Sequence, residues 1–236
     1  MTTSTATAVM SARNVSAGYV GQPVIHDLSF DIRAGEVTCL LGPNGAGKTS
    51  TMLALAGELP LMGGEILMHG EVTTAKLHHR ARKGLSYVTE ERSVFKGMST
   101  RDNLRCAGVE PEAAIELFPE LKSRIDIKAG LLSGGEQQML TLARALSRGS
   151  SVLLADELSL GLAPLIVERL LQAVRDAADR GTAVLIVEQH ARKALRYADR
   201  VLVMRRGDLV MQLPADEALR RLSEIEDAYL NQSAVG

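Results

Sequence analysis

The 236-residue chain sets 27 Lys and Arg against 28 Asp and Glu, a formal net charge of -1, with 3% aromatic residues and no Trp. This balance excludes a nucleic-acid binder that works through a strongly basic face, and the scarcity of aromatics argues against a base-stacking platform. The length suits one large domain, or a core with a subdomain, and is enough to bury a proper core.

The opening stretch, residues 1–10, lacks a basic segment followed by an apolar one, so it reads as a frayed polar tail and not a secretory signal. A single domain is expected over residues 11–236. Alternation in NVSAGYV and LSFDI predicts short antiparallel strands. EVTCLL, Glu36 to Leu41, is an apolar β-branched run that leads into glycines. KTSTMLALAGEL then has helical spacing, with Met52, Leu55, Ala56 and Leu59 on one face. GGEILMHG and GLSYV predict two further strands. From Ser99 to Arg148 the pattern is helical, and a helical subdomain is expected over about 90–148. SVLLAD predicts a strand, Pro164 to Asp179 a helix, and TAVLIVE a second buried strand. ADRVLVMRRGDLVMQL reads as two strands joined by an Arg-Gly-Asp turn, and Ala215 to Leu230 as an amphipathic helix. Strands alternating with helices predict an α/β fold with a mainly parallel sheet.

The remaining features receive plain readings. The longest apolar runs are strand-sized, far short of the ~20 apolar residues that a membrane span needs. Cys39 and Cys106 show no metal-like spacing, and Cys39 reads as a buried thiol, which points to the cytosol. Lys76, His78, His79, Arg80, Arg82 and Lys83 read as a solvated basic helix face, and Met98, Met139 and Met204 as core filler.

The glycines after the first buried strand carry chemistry. Gly42, Gly47, Lys48 and Thr49 match G-x4-G-K-[ST], with a strand before and a helix after, as a phosphate-binding loop requires. Glycines let successive N–H groups face one concavity, and the helix that starts near Lys48 adds its positive dipole end. Lys48 reaches β- and γ-phosphates, and the Thr49 hydroxyl is a ligand for Mg²⁺. The loop as a whole, Gly42, Pro43, Asn44, Gly45, Ala46, Gly47, Lys48, Thr49 and Ser50, is the expected nucleotide cradle. Its partner is a strand that ends in a carboxylate: Asp156 for the hydrated magnesium, leaving Glu157 to polarise the attacking water. Ser133, Gly134, Gly135 and Glu136 open another helix with a hydroxyl and free backbone N–H groups, a second anion-binding device. One nucleotide does not need two γ-phosphate cradles, so the second is expected to act on ATP held by another subunit. A simple capping turn is the alternative for Ser133.

Together these residues resemble the ATP-binding subunits of ABC transporters over nearly the whole chain, with phosphate loop, LSGGEQQ signature and LLADE strand in the family's order. The resemblance implies a P-loop NTPase core with an N-terminal antiparallel β subdomain and an inserted helical subdomain. It also implies a dimer that sandwiches two ATP molecules. SLGLAP, VEQH and RARKGLSYVTEERSVF resemble the ATP-binding subunits of branched-chain amino-acid importers, and are most similar to their second ATPase subunit; the closing EDAYL is similar too. On that resemblance Tyr19 stacks on adenine and Glu90 joins Thr49 and Asp156 around the metal, where the family usually has Gln. Gln189 falls on the switch position with His190 one place later, where the family usually has His. Leu158 replaces a Pro, which is expected to loosen the turn slightly. The implied partners are separate membrane-spanning permease subunits, a second ATP-binding subunit in a homo- or heterodimer and, indirectly, a solute-binding protein, with no nucleic acid. The implied location is the cytoplasmic face of the cell membrane. A soluble non-transport ATPase for cofactor assembly or DNA maintenance, and an ATP-sensing regulatory subunit, are the alternatives.

Overall fold

The computed structural model describes residues 7–188 and 191–225. In chain order the strands and helices are β1 (Ala8–Tyr19), β2 (Gln22–Arg33), β3 (Val37–Leu41), α1 (Lys48–Ala56), β4 (Leu61–Met68), β5 (Glu71–Val72), α2 (Leu77–Arg82) and β6 (Leu85–Val88). There follow α3 (Thr100–Cys106), α4 (Pro111–Leu117), short 3-10 turns at Pro119–Arg124 and Ala129–Leu131, and α5 (Gly134–Leu146). The chain then runs through β7 (Val152–Asp156), α6 (Pro164–Asp179), β8 (Ala183–Val187), α7 (Ala191–Ala194), β9 (Arg200–Arg205), β10 (Asp208–Pro214) and α8 (Ala215–Arg220).

Two sheets result, a six-stranded one ordered β10-β9-β3-β8-β7-β6 and a four-stranded one ordered β2-β1-β4-β5. In the larger sheet β9, β3, β8, β7 and β6 are parallel, and β10 closes one edge antiparallel to β9. The smaller sheet is antiparallel throughout. Every residue of β3, β7 and β8 is buried, as expected for parallel strands covered on both faces. Alternate residues feed two cores. Cys39, Leu153, Ala155 and Ile186 pack with α5 and α6, whereas Leu40, Leu154, Leu185 and Val187 pack with α1 and the small sheet.

Several expectations need correction. Strand β1 starts at Ala8, so residues 8–10 belong to the sheet and not to a tail. Leu59 is buried but lies beyond α1, which ends at Ala56 with left-handed Gly57 as its cap. Arg80 is no part of a solvated face. It is buried, and its guanidinium donates to the carbonyls of Ala54 (3.3 Å), Leu55, Thr73 (3.3 Å) and Ala75 (2.6 Å). It thereby supplies a donor to the Leu55 carbonyl in the last turn of α1, alongside the Gly57 N–H that already bonds Ala54 O at 3.1 Å. Met139 and Met204 are core residues, but Met98 is half-buried and belongs to neither core. Residues 226–230, the expected end of the last helix, lie outside the described residues, as do residues 1–6. No described helix is long and apolar enough to cross a membrane.

Candidate functional site

The loop after β3 has the backbone that its glycines permit. A Cβ on Gly42 would come within 2.5 Å of the Met204 carbonyl oxygen of β9, so no side chain fits there. Gly47 sits at φ 102°, in the left-handed region, with Ile25 Cγ2 2.8 Å from where its Cβ would be. The Gly207 N–H donates to Ala46 O at 2.9 Å, tying the loop to the β9–β10 turn. Helix α1 then begins at Lys48 with no acidic residue in its first turn and no side-chain cap, so its leading N–H groups face an open cleft. This cleft, of about 260 Å³, is lined by Val24, Asn44, Gly45, Gly47, Lys48, Thr49, Ser50 and Glu157.

Lys48 is buried, and its Nζ donates to Gly42 O at 2.8 Å and Pro43 O at 3.0 Å. Burial lowers its pKa, while the carboxylates of Glu157 and Asp156 oppose that shift. Asp156 ends β7 at 1% exposure, hydrogen-bonds Thr49 and keeps Oδ1 without a hydrogen-bond partner. Burial raises its pKa to about 6; the Thr49 hydrogen bond lowers it, and the charges of Glu157 and Glu90 raise it further. A buried carboxylate oxygen lacking a partner beside a threonine hydroxyl suits a hard divalent cation such as Mg²⁺. Among the described residues no group of three or more His, Cys, Asp or Glu is arranged to hold a metal ion, so a cation here would complete its shell with phosphate and water oxygens.

Glu157 follows at φ 48°, an uncommon left-handed conformation for a non-glycine residue. Its N–H donates to Val187 O at 3.0 Å, and Leu160 N donates back to Glu157 O at 3.3 Å. Leu158 is buried in the core cluster on the α5 and α6 side. The turn is thus closed by hydrogen bonds and anchored by Leu158. Just beyond, the Ser159 hydroxyl donates to Glu188 Oε2 at 2.5 Å.

Several other expected residues do not line this cleft. Ser133 caps α5 in a reciprocal box: its hydroxyl accepts from Glu136 N at 3.3 Å, and Glu136 Oε2 accepts from Ser133 N at 2.7 Å. The capping turn is therefore present, and Glu136 is also paired with Arg124 at 2.7 Å. None of Ser133, Gly134, Gly135 and Glu136 lines the cleft. Tyr19 is 49% exposed at the end of β1, so it is not a core residue, and it does not line the cleft either. Glu90 is exposed in the bend after β6, close enough for its charge to act on Asp156. Gln189 and His190 lie outside the described residues.

Sequence reasoning missed Val24, Arg92 and the Ser159–Glu188 pair. Val24 carries no motif. Arg92 lies where a Cβ on Gly134 would meet its guanidinium at 2.9 Å, at the start of α5. Ser159 and Glu188 fall within the SLGLAP and VEQH segments, but nothing along the chain pairs them.

Comparison with known proteins agrees with this geometry. The sequence pattern of the family described as ABC transporter matches residues 25–159. The chain is 37% identical to the high-affinity branched-chain amino acid transport ATP-binding protein BraG of Pseudomonas aeruginosa, over 94% of this chain and 99% of that protein. It is 32% identical to the lipopolysaccharide export system ATP-binding protein LptB of Escherichia coli, over 94% of this chain and 100% of that one. Among solved structures, the ADP conformation of MJ1267, an ATP-binding cassette of an ABC transporter, superposes with a TM-score of 0.84 at 23% identity, covering 95% of this chain and 99% of the other. The dimeric bacterial ABC transporter cassette MJ0796 gives a TM-score of 0.78 at 20% identity, over 87% of this chain and 98% of its own.

Proposed function

The chain belongs to the ABC transporter family, as a transport-coupled ATPase subunit, and we propose that it energises a multi-subunit importer of branched-chain amino acids or related small polar solutes. The observation that carries the reading is the convergence of Lys48, Thr49, Ser50 and Glu157 on one cleft, with the Asp156 carboxylate held by Thr49. BraG, the relative at 37% identity, supports the amino-acid substrate. LptB, which is named for lipopolysaccharide export, favours the opposite direction as the second reading.

In this reading the loop from Gly42 to Ser50 cradles the ATP phosphates through backbone N–H groups and Lys48. Thr49, Asp156 and Glu90 would hold Mg²⁺, which would neutralise charge on the phosphate oxygens. Glu157 orients and polarises the attacking water, and Gln189 supports the γ-phosphate ahead of His190. Tyr19 stacks on adenine. Ser133, Gly134, Gly135 and Glu136 act on the nucleotide of a second ATP-binding subunit. Binding closes that pair, and hydrolysis reopens it.

Membrane-spanning subunits receive the movement through the loop from Glu90 to Phe95 and the helical subdomain, at the inner face of the membrane. That loop is bonded to both α3 and α5: Asn103 Oδ1 accepts from Phe95 N at 2.8 Å, and Arg144 donates to Ser93 O at 2.5 Å. The test is reconstitution of the chain with its membrane subunits in liposomes. ATP-dependent uptake of labelled leucine supports import, whereas ATP-dependent extraction of lipopolysaccharide without uptake supports the second reading.

A further inference from the structure

Glu188 is the most deeply placed acid near the cleft without an assigned part in the chemistry. It is 2% exposed, and its Oε1 has no hydrogen-bond partner. Its other oxygen accepts the Ser159 hydroxyl at 2.5 Å, and the Ser159 backbone also hydrogen-bonds the carboxyl group. The charges of Glu157 and Asp156 act on Glu188, and Glu188 in turn acts on the buried Cys39 thiol of β3. An acid in such a place carries a desolvation penalty, and an apolar residue would continue the run of β8 without it.

What this acid does is set by what stands on either side. Ser159 lies two residues after Glu157, in the turn that holds Glu157 at φ 48°. Glu188 lies immediately before Gln189 and His190. The same turn is already fixed to the end of β8 by the Glu157 N–H to Val187 O bond at 3.0 Å. The side-chain bond is therefore a second tie between the same two segments. The backbone tie is indifferent to sequence; the side-chain tie exists only because a hydroxyl and a carboxylate face each other.

We propose that Glu188 and Ser159 are positioning residues that fix the turn carrying the water-orienting Glu157 against the end of β8. The inference rests on the ATPase reading above. Neither side chain lines the nucleotide cleft, so their loss acts on turnover and not on nucleotide capture.

The experiment compares Glu188→Leu, which removes the acceptor, Ser159→Ala and the double variant in the full chain reconstituted with its membrane subunits, measuring kcat and KM for ATP and the melting temperature. Each single variant is expected to lower kcat about tenfold with KM within about twofold, and the double to be no slower than the slower single. Ser159→Thr, which keeps the hydroxyl, recovers most of the turnover lost in Ser159→Ala. Multiplicative losses in the double variant, unchanged kcat in either single variant, or loss of turnover only in step with the folded fraction overturns the coupling. Unaltered chain that shows no Lys48-dependent ATPase activity even with its membrane subunits strikes at the ATPase reading itself, and the coupling falls with it.

Discussion

Lys48 shows how much one side chain is asked to do. Its ammonium is buried against the Gly42 and Pro43 carbonyls at 2.8 and 3.0 Å, with Glu157 in the same cleft. Exchange of those carbonyls for phosphate oxygens replaces neutral acceptors with charged ones, a stronger bond in a dry site. Lys48→Ala is expected to weaken ATP binding strongly and abolish hydrolysis, and near-normal affinity by calorimetry would remove Lys48 from the role. Glu188 makes a prediction of another kind. Burial lifts its pKa from 4.5 to about 7; Ser159's hydrogen bonds oppose this, and the charges of Glu157 and Asp156 add to it. A carboxyl that holds its proton more tightly when folded favours the folded chain at low pH, and that advantage fades as pH climbs from 4.5 to about 7. Without nucleotide, the melting temperature of the unaltered chain should therefore fall relative to that of Glu188→Gln across this window and run parallel above it. A gap that is constant from pH 5 to 8 would show that Glu188 is ionised throughout.

Helix α1 carries the phosphate loop, and its far end depends on a residue 24 positions past its last turn. Arg80 donates to Ala54, Leu55, Thr73 and Ala75 carbonyls from a buried position, and burial lowers its pKa. Arg80→Leu keeps the bulk but removes the donor to the Leu55, Thr73 and Ala75 carbonyls, while Ala54 O keeps its bond from Gly57 N, which should cost about 3 kcal/mol of unfolding free energy. Denaturant titration checks this, and a loss below about 1 kcal/mol would mean that the exposed neighbours take over the capping. This dependence was not legible in the sequence, where Arg80 sits in a run of basic residues. What was legible were elements whose signal is local. The helix over Pro164 to Asp179, strands such as Ala183–Val187 and the phosphate loop all stand where composition and periodicity put them. Capping of α1 by α2, the Ser159–Glu188 bond and the approach of Arg92 to Gly134 join segments far apart in sequence, and no window along the chain contains both partners. The strands of the small sheet were underestimated in length for a related reason. Their alternation is broken where the β1 register shifts, at Ala12/Val15 and Val15/Ala17, so only fragments read as strand.

At the scale of the whole molecule, the two halves of the expected active site are separated. The phosphate loop and Glu157 share a cleft, whereas the residues from Ser133 to Glu136 at the start of α5 are not part of it. Around these halves the chain exposes Leu131, Leu160 and Leu165 at 77%, 48% and 76%, a modest apolar surface beside largely polar loops. Little of this would hold two protomers together without nucleotide, since stable interfaces need a well-packed apolar centre. The isolated chain should thus be largely monomeric and a poor ATPase, with turnover rising when its membrane subunits are added. Glu157→Gln should still bind ATP, turn over slower by about 10²–10³, and accumulate in the closed pair because hydrolysis no longer reopens it. Light scattering of Glu157→Gln, with and without ATP, tests the divided site most directly. The account predicts monomer without nucleotide and dimer with ATP, and a further Ser133→Arg substitution should abolish that dimer. A stable dimer without nucleotide, or a monomer that stays monomeric with ATP bound, would contradict it.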